Sequence, residues 1–305
     1  MTTLLRLFTL LATALASAWG ATAAHGEVLV VVSESGGAYD EAAEAFRAEL
    51  QRLAPRQTVV VNPVGNLGSM AEYQLIVTLG SQAARSVAAM GQRPPTIHSL
   101  VPKATYDRMA GLKDGRDTAV LLDQPATRQI DLIRVALPGF GRIALLEGGE
   151  SRELVGQLAE AARERKFAVQ REVVMRDNDI FTALQRVLSD PAALIATPDT
   201  TVFNGYSIQN IMLTAYRQRS PVLGFSASYV RAGAVLGLYS TPAQIGRQTA
   251  ELARAALGGQ PLPPPQNPRY FEISTNPQVA RSIGIFLEEP AQIRASIARL
   301  EGVAQ

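Results

Sequence analysis

The chain has 305 residues with no Cys, two His and one Trp, and its 29 Lys and Arg against 27 Asp and Glu leave a net charge of +2. At 47% hydrophobic and 18% charged it can bury a sizeable core, which excludes intrinsic disorder, and its length suits one large domain or two. The absence of Cys excludes disulfides, thiolate nucleophiles, zinc–cysteine sites, iron–sulfur clusters and cysteine lipidation, and the absence of a dense Lys/Arg run argues against a nucleic-acid partner.

The chain opens as an address. Arg6 precedes an apolar run from Leu7 to about Trp19, and Ala21-Thr22-Ala23 forms a small-residue cleavage pattern. This is the layout of a secretory signal peptide over residues 1–24, and its apolar run is short of the ~20 residues that a membrane span needs. With no Cys at the cleavage site, the mature protein is expected to be free of a lipid anchor, most simply in a Gram-negative periplasm.

Strand and helix then alternate. Val28–Val32 is a continuous apolar run, as in a strand buried on both faces. Ala42, Ala45, Phe46, Leu50 and Leu53 follow at helical spacing. Further strands are expected at Thr58–Val61, Leu75–Leu79, Thr96–Val101, Ala119–Leu122, Ile143–Leu146, Ala168–Val174, Leu194–Ala196, Val222–Phe225 and Ala234–Tyr239. Helices are expected at Ser81–Met90, Ser151–Lys166, Ile180–Leu188, Ser207–Arg219, Pro242–Leu257 and about Pro290–Leu300. Parallel strands need crossover connections, usually helical, so this order predicts an α/β protein with largely parallel sheet. The strands are too many for one comfortable sheet and divide near Asp123, giving two similar Rossmann-like lobes. The expected bounds are 25–122 plus about 240–260 for the first lobe and 123–239 plus about 268–305 for the second. Thr241, Pro242 and Gln244 make a capping box. The stiff Pro261–Pro265 segment is expected to carry the chain between lobes.

Catalytic chemistry is nearly absent. His98 stands at an expected strand end, where a structural role is the expectation. Gly224-Phe225-Ser226-Ala227-Ser228 lacks the second Gly of a nucleophile elbow, and there is neither a P-loop nor a dinucleotide fingerprint. Asp177, Asp179 and Asp199 do not have calcium-loop spacing; Asp177 and Asp179 read as helix N-caps. No enzyme, metal or cofactor is expected. What remains are four strand-to-helix corners rich in small polar residues, Val32–Gly37, Thr78–Gln82, Ala196–Thr200 and Gly224–Ser226. In open α/β sheets ligands bind outside the C-terminal strand ends, so four such corners in two lobes favour a binding cleft.

Several stretches resemble the ABC-transporter substrate-binding proteins of the tryptophan/tyrosine-binding type. They are Pro198–Asn204 with Ile208–Arg217, Pro221–Ser226, Val230–Ala234, Tyr239–Pro242 with Ile245–Gln248, and Asn276–Gly284. Gly80-Ser81-Gln82-Ala83-Ala84 fits the family's first-lobe corner, with Ser81-Gln82 in place of Thr-Pro. The resemblance implies a type I periplasmic-binding-protein (Venus-flytrap) architecture, a monomer whose lobes close by hinge motion on a small amino-acid-like ligand before docking on the membrane permease of an ABC transporter. A periplasmic ligand sensor or interaction protein with the same fold is the alternative.

For such a ligand, Ser81 with the N–H groups of Gln82 and Ala83, beside Gly80, would hold the carboxylate. Asp199, or else Asp123 at the lobe crossing, would hold the ammonium. Phe203, Tyr206 or Phe225 would stack on an aromatic side chain, and Ser33, Ser35 and Ser226 would complete the hydrogen bonding.

Overall fold

The computed structural model describes residues 26–112 and 115–302, and the expected signal peptide lies outside the described residues. Its strands form two sheets. In the first, β1 (Val28–Val32), β2 (Val59–Pro63), β3 (Leu75–Leu79), β4 (Thr96–Val101) and β5 (Asp117–Leu121) run parallel in the order β2-β1-β3-β4-β5. In the second, β6 (Arg142–Glu147), β7 (Ala168–Val173), β8 (Ala193–Ile195), β9 (Val222–Gly224), β10 (Leu236–Tyr239) and β11 (Glu272–Thr275) are ordered β11-β10-β9-β8-β6-β7. All neighbours there are parallel except β10 and β11. Setting β11 aside, both sheets repeat one doubly wound order, with a switch point between β1 and β3 and between β6 and β8. The two-lobed α/β expectation is met.

The helices are α1 (Gly37–Leu53), α2 (Ser81–Ala88), α3 (Lys103–Asp107), α4 (Ala126–Ala136), α5 (Arg152–Glu164), α6 (Ile180–Val187), α7 (Ile208–Arg217), α8 (Ala227–Arg231), α9 (Pro242–Leu257), α10 (Pro277–Ser282) and α11 (Pro290–Leu300). Helices α3, α4, α8 and α10 and strand β11 had no counterpart in the sequence reading. Asp177 and Asp179 form a 3-10 turn before α6, where Asp179 occupies the cap position without a side-chain cap bond; its carboxylate faces Arg176 instead. The Thr241 capping box of α9 forms as expected, with Gln244 N–H donating to Thr241 Oγ1 at 3.1 Å and Thr241 N–H donating to Gln244 Oε1 at 3.0 Å.

Each lobe buries apolar side chains on both faces of its sheet. In the first, Val28, Val30 and Val32 face Phe46, Leu50 and Ile245 while Leu29, Val31 and Ile76 face Val87. Helix α9 thus returns to the first lobe, where it packs on α1 so closely that a Cβ on Gly246 would stand 2.2 Å from the Ala42 carbonyl oxygen. In the second, Leu145, Ile195 and Leu236 pack against α4, α5 and α11 on one face, and Leu146, Leu194 and Val222 pack against α6 and α7 on the other.

Three segments join the sheets, after β5, after β10 and before β11. The proline segment Pro261–Pro265 is not the crossing. Leu262 packs on the first core, and Gln266 extends the edge of β5, accepting from Leu121 N–H at 2.9 Å and donating to the Ala119 carbonyl at 2.8 Å. The chain leaves only at Asn267. Buried Arg128 of α4 stitches these segments together. Its guanidinium donates to Gln124 Oε1 and to the Pro268 carbonyl, each at 2.8 Å, and to both oxygens of Glu301 at 2.6 and 3.0 Å, beyond α11. It also lies 4.2 Å above the Phe271 ring. Gln124 in turn donates to Ser240 Oγ at 2.8 Å.

Candidate functional site

Three connected cavities of about 660, 350 and 160 Å³ lie between the lobes. The first-lobe wall is the short helix α3 with Pro102, at the C-terminal end of β4. Its Tyr106 is buried, with its ring centroid 5.9 Å from that of His98. Its first residue is tied to the lobe crossing, Lys103 N–H donating to Asp123 Oδ2 at 2.6 Å. The facing wall comes from the ends of β6, β8 and β9. The largest cavity is lined there by Glu150, Pro198–Thr200, Phe203–Gly205, Ile208, Phe225, Ser226, Ser228, Tyr229 and Ala232. The smallest reaches inward to Asp123, Gln124, Tyr239 and Ser240.

The largest cavity is mainly apolar. Phe225 and Tyr229 stack with ring centroids 4.4 Å apart and a 44° tilt, and the Tyr229 hydroxyl donates to the Phe203 carbonyl at 3.3 Å. Burial pushes the Tyr229 phenol up to about 12, so it serves as a neutral donor. Of the residues expected to contact a ligand, Phe203, Phe225 and Ser226 line this cavity. Tyr206 does not: it is 96% exposed and turned out of the cleft.

Asp199 also reaches the cavity, but its carboxylate is turned inward. At 1% exposure it accepts from Glu150 and Ser151 N–H at 2.9 and 2.8 Å through one oxygen and from Thr201 N–H at 3.0 Å through the other. Gly148 packs against it, where a Cβ would lie 2.5 Å from either oxygen. Asp199 binds two strand ends of its own lobe together, and this geometry does not fit the expected ammonium contact. Asp123 lines the two smaller cavities. Burial pushes its carboxyl above the usual range, only partly offset by the Lys103 N–H.

The first-lobe corner lines none of these cavities. Ser33 Oγ accepts from Ala83 N–H at 3.0 Å, which uses one of the donors expected for a ligand carboxylate. Gly80 has φ +95°, and a Cβ there would meet Ser33 Oγ and the Tyr39 ring at 2.5 Å, so this glycine answers to packing and backbone conformation. Ser81 is half-buried, while Ser35 and Gln82 are exposed. Ser33, Ser35, Gly80, Ser81 and Gln82 are thus grouped at the first switch point, away from the aromatic wall.

Charge crosses the cleft at α3. Lys103 Nζ is 3.0 Å from Glu153 of the second lobe and also pairs with Asp107. Burial opposes its charge, but these two carboxylates outweigh it and raise its pKa above the ordinary lysine value. Arg108 stands 3.8 Å from Glu150. Sequence reasoning missed α3, because Lys103-Ala104-Thr105-Tyr106-Asp107-Arg108 carries no motif; its place after β4 was the available signal. His98 is structural as expected, bonded at 2.8 Å to Thr78 and at 3.1 Å to Asp117, which also pairs with Arg93. Among the described residues no cluster of acidic and histidine side chains is arranged to hold a metal, and no helix is long and apolar enough to cross a membrane.

Two doubly wound lobes around a mainly apolar cleft define a two-lobed binding protein of the periplasmic type. A model of the family described as ABC transporter substrate binding protein matches residues 66–297. The chain belongs to that family. Among solved structures, a conserved domain protein from Vibrio cholerae aligns with a TM-score of 0.60 and 18% identity over 89% of this chain and 98% of its own. An ABC domain in complex with L-Trp from Streptococcus pneumoniae gives 0.59 and 17% over the same shares. The ligand-free, open structure of a substrate-binding protein with adhesive properties from Clostridium difficile gives 0.68 and 15%, covering 87% and 96%. These likenesses establish the fold. No curated protein matches the chain.

Proposed function

We propose that the protein is the exported, non-enzymatic solute-binding component of an ABC importer. In this reading its lobes, 25–122 plus about 240–260 and 123–239 plus about 268–305, close as a monomer in the periplasm on a small amino-acid-like ligand, and the closed form delivers it to a membrane permease. The observation that carries the reading is the interlobe cavity of about 660 Å³ walled by Phe203, Phe225 and Tyr229. Its volume falls within the roughly 300–1,000 Å³ of small-molecule sites, and its aromatic faces suit a flat apolar side chain. Family membership supports the transport role, and the neighbour holding L-Trp supports the ligand class.

A thermal-shift panel of the common L-amino acids tests it, read beside Phe225→Ala. An amino acid with an apolar or aromatic side chain, at 100 times its Kd, should stabilise the wild type by about 2.7 kcal/mol. Phe225→Ala should weaken that binding at least tenfold. A panel in which no amino acid shifts the melting curve would overturn the ligand class.

A further inference from the structure

We propose that Arg108 and Glu150 are the two charge anchors of the ligand, Arg108 taking its carboxylate from the first lobe and Glu150 its ammonium from the second. This rests on the amino-acid reading above and deepens it.

Three charged residues line the largest cavity, Arg108, Glu150 and Asp199. Asp199 is removed from the account by burial and by its three backbone N–H bonds. The remaining pair is opposite in sign, drawn from opposite lobes, and loosely joined. Its 3.8 Å separation exceeds hydrogen-bond distance, and the side chains are 58% and 43% exposed. The contrast with Lys103 is direct, since Lys103 is neutralised by two carboxylates at the neighbouring site.

Glu150 is already oriented for such a role. Its Oε2 accepts from Thr200 Oγ1 at 3.2 Å and from Thr200 N–H at 3.4 Å, while Oε1 is the atom facing Arg108. An ammonium can therefore take Oε1 without disturbing the contacts that hold the side chain. A guanidinium presents a planar fork that matches a carboxylate with two parallel bonds. In an α-amino acid the carboxylate carbon and the nitrogen share one α-carbon, so the protein charges that complement them must stand close together, as Arg108 and Glu150 do. The zwitterion would enter between them, replacing one loose ion pair by two charge-assisted contacts, with its side chain turned to Phe225 and Tyr229. The same contacts would draw α3 towards the second lobe and so favour closure.

Isothermal titration of the mature protein tests this with L-tryptophan, tryptamine, which lacks the carboxylate, and indole-3-propionate, which lacks the ammonium; L-phenylalanine, 2-phenylethylamine and 3-phenylpropionate form a second series. In the wild type the amino acid should bind at least tenfold tighter than either analogue. Arg108→Gln should weaken the amino acid by about thirtyfold or more while leaving the amine unchanged. Glu150→Gln should do the same while leaving the carboxylic acid unchanged. Wild-type affinity in both variants, or equal weakening of all three compounds, would overturn the assignment and leave the amino-acid reading standing. Wild-type protein that binds neither amino acid would overturn this assignment, and wild-type protein that binds none of the common L-amino acids would overturn the amino-acid reading with it.

Discussion

Replacing Asp199 by Ala should destabilise the ligand-free protein severely. The carboxylate is buried and accepts three backbone N–H bonds of 2.8–3.0 Å that join the β6–α5 turn to the end of β8. A hydrogen bond to a charged group contributes about 1.5–3 kcal/mol, and a buried donor left unpaired costs about 1–3 kcal/mol. Three such bonds do not add in full, because the Glu150 and Thr201 amides are only partly buried and water can reach them. A loss of about 3–5 kcal/mol is expected, which for a chain of this size lowers Tm by about 6–20 °C. Asp199→Asn keeps one acceptor oxygen and should lose roughly half as much. Asp177→Ala, at an exposed turn, is the control and should melt with the wild type. Differential scanning fluorimetry without ligand reads all three. An Asp199→Ala protein that melts with the wild type but no longer binds an amino acid would refute the structural role and restore the carboxylate as a ligand contact.

Arg128→Ala should cost about 2–4 kcal/mol in urea denaturation, because it leaves a partly buried carboxylate, Glu301, and two hinge acceptors without their donor; a loss below about 1 kcal/mol would show that the three crossings do not depend on it. Burial holds the His98 imidazole below its ordinary pKa of 6.5, outweighing the Asp117 carboxylate that favours the charged ring. The unfolded chain therefore takes the proton first as pH falls, so the His98 contribution is complete above 6.5 and is lost as pH drops towards the folded value. The His98 ring resonance should accordingly titrate with a midpoint below the ordinary value, and a midpoint at or above that value would contradict this.

The strands buried on both faces were legible because continuous apolar runs such as Val28–Val32 and Leu75–Leu79 have few other readings. Helix α4 was hidden for the opposite reason. Arg128, Gln129 and Asp131 are all buried in it, so the crossing network interrupts the hydrophobic period. Strand β11, Glu-Ile-Ser-Thr, buries only Ile273 and carries almost no pattern. Of the aromatic wall, Phe203 and Phe225 were named from the sequence beside the outward-facing Tyr206, while Tyr229, whose stacking on Phe225 depends on the fold, was missed. The orientation of Asp199 was beyond reach, since two of its partners are backbone amides 48 and 49 positions away. Likewise the pairing of Arg108 with Glu150 is a product of how the lobes meet.

The account turns on whether the lobes close on a ligand held between α3 and the Phe225 wall. Small-angle scattering of the protein, alone and saturated with the amino acid that binds tightest in the panel, measures this most directly. Closure predicts a smaller radius of gyration in the saturated protein, and no such decrease in Phe225→Ala at the same ligand concentration. An unchanged profile for the wild type at full saturation would contradict a clamp and point to a rigid scaffold.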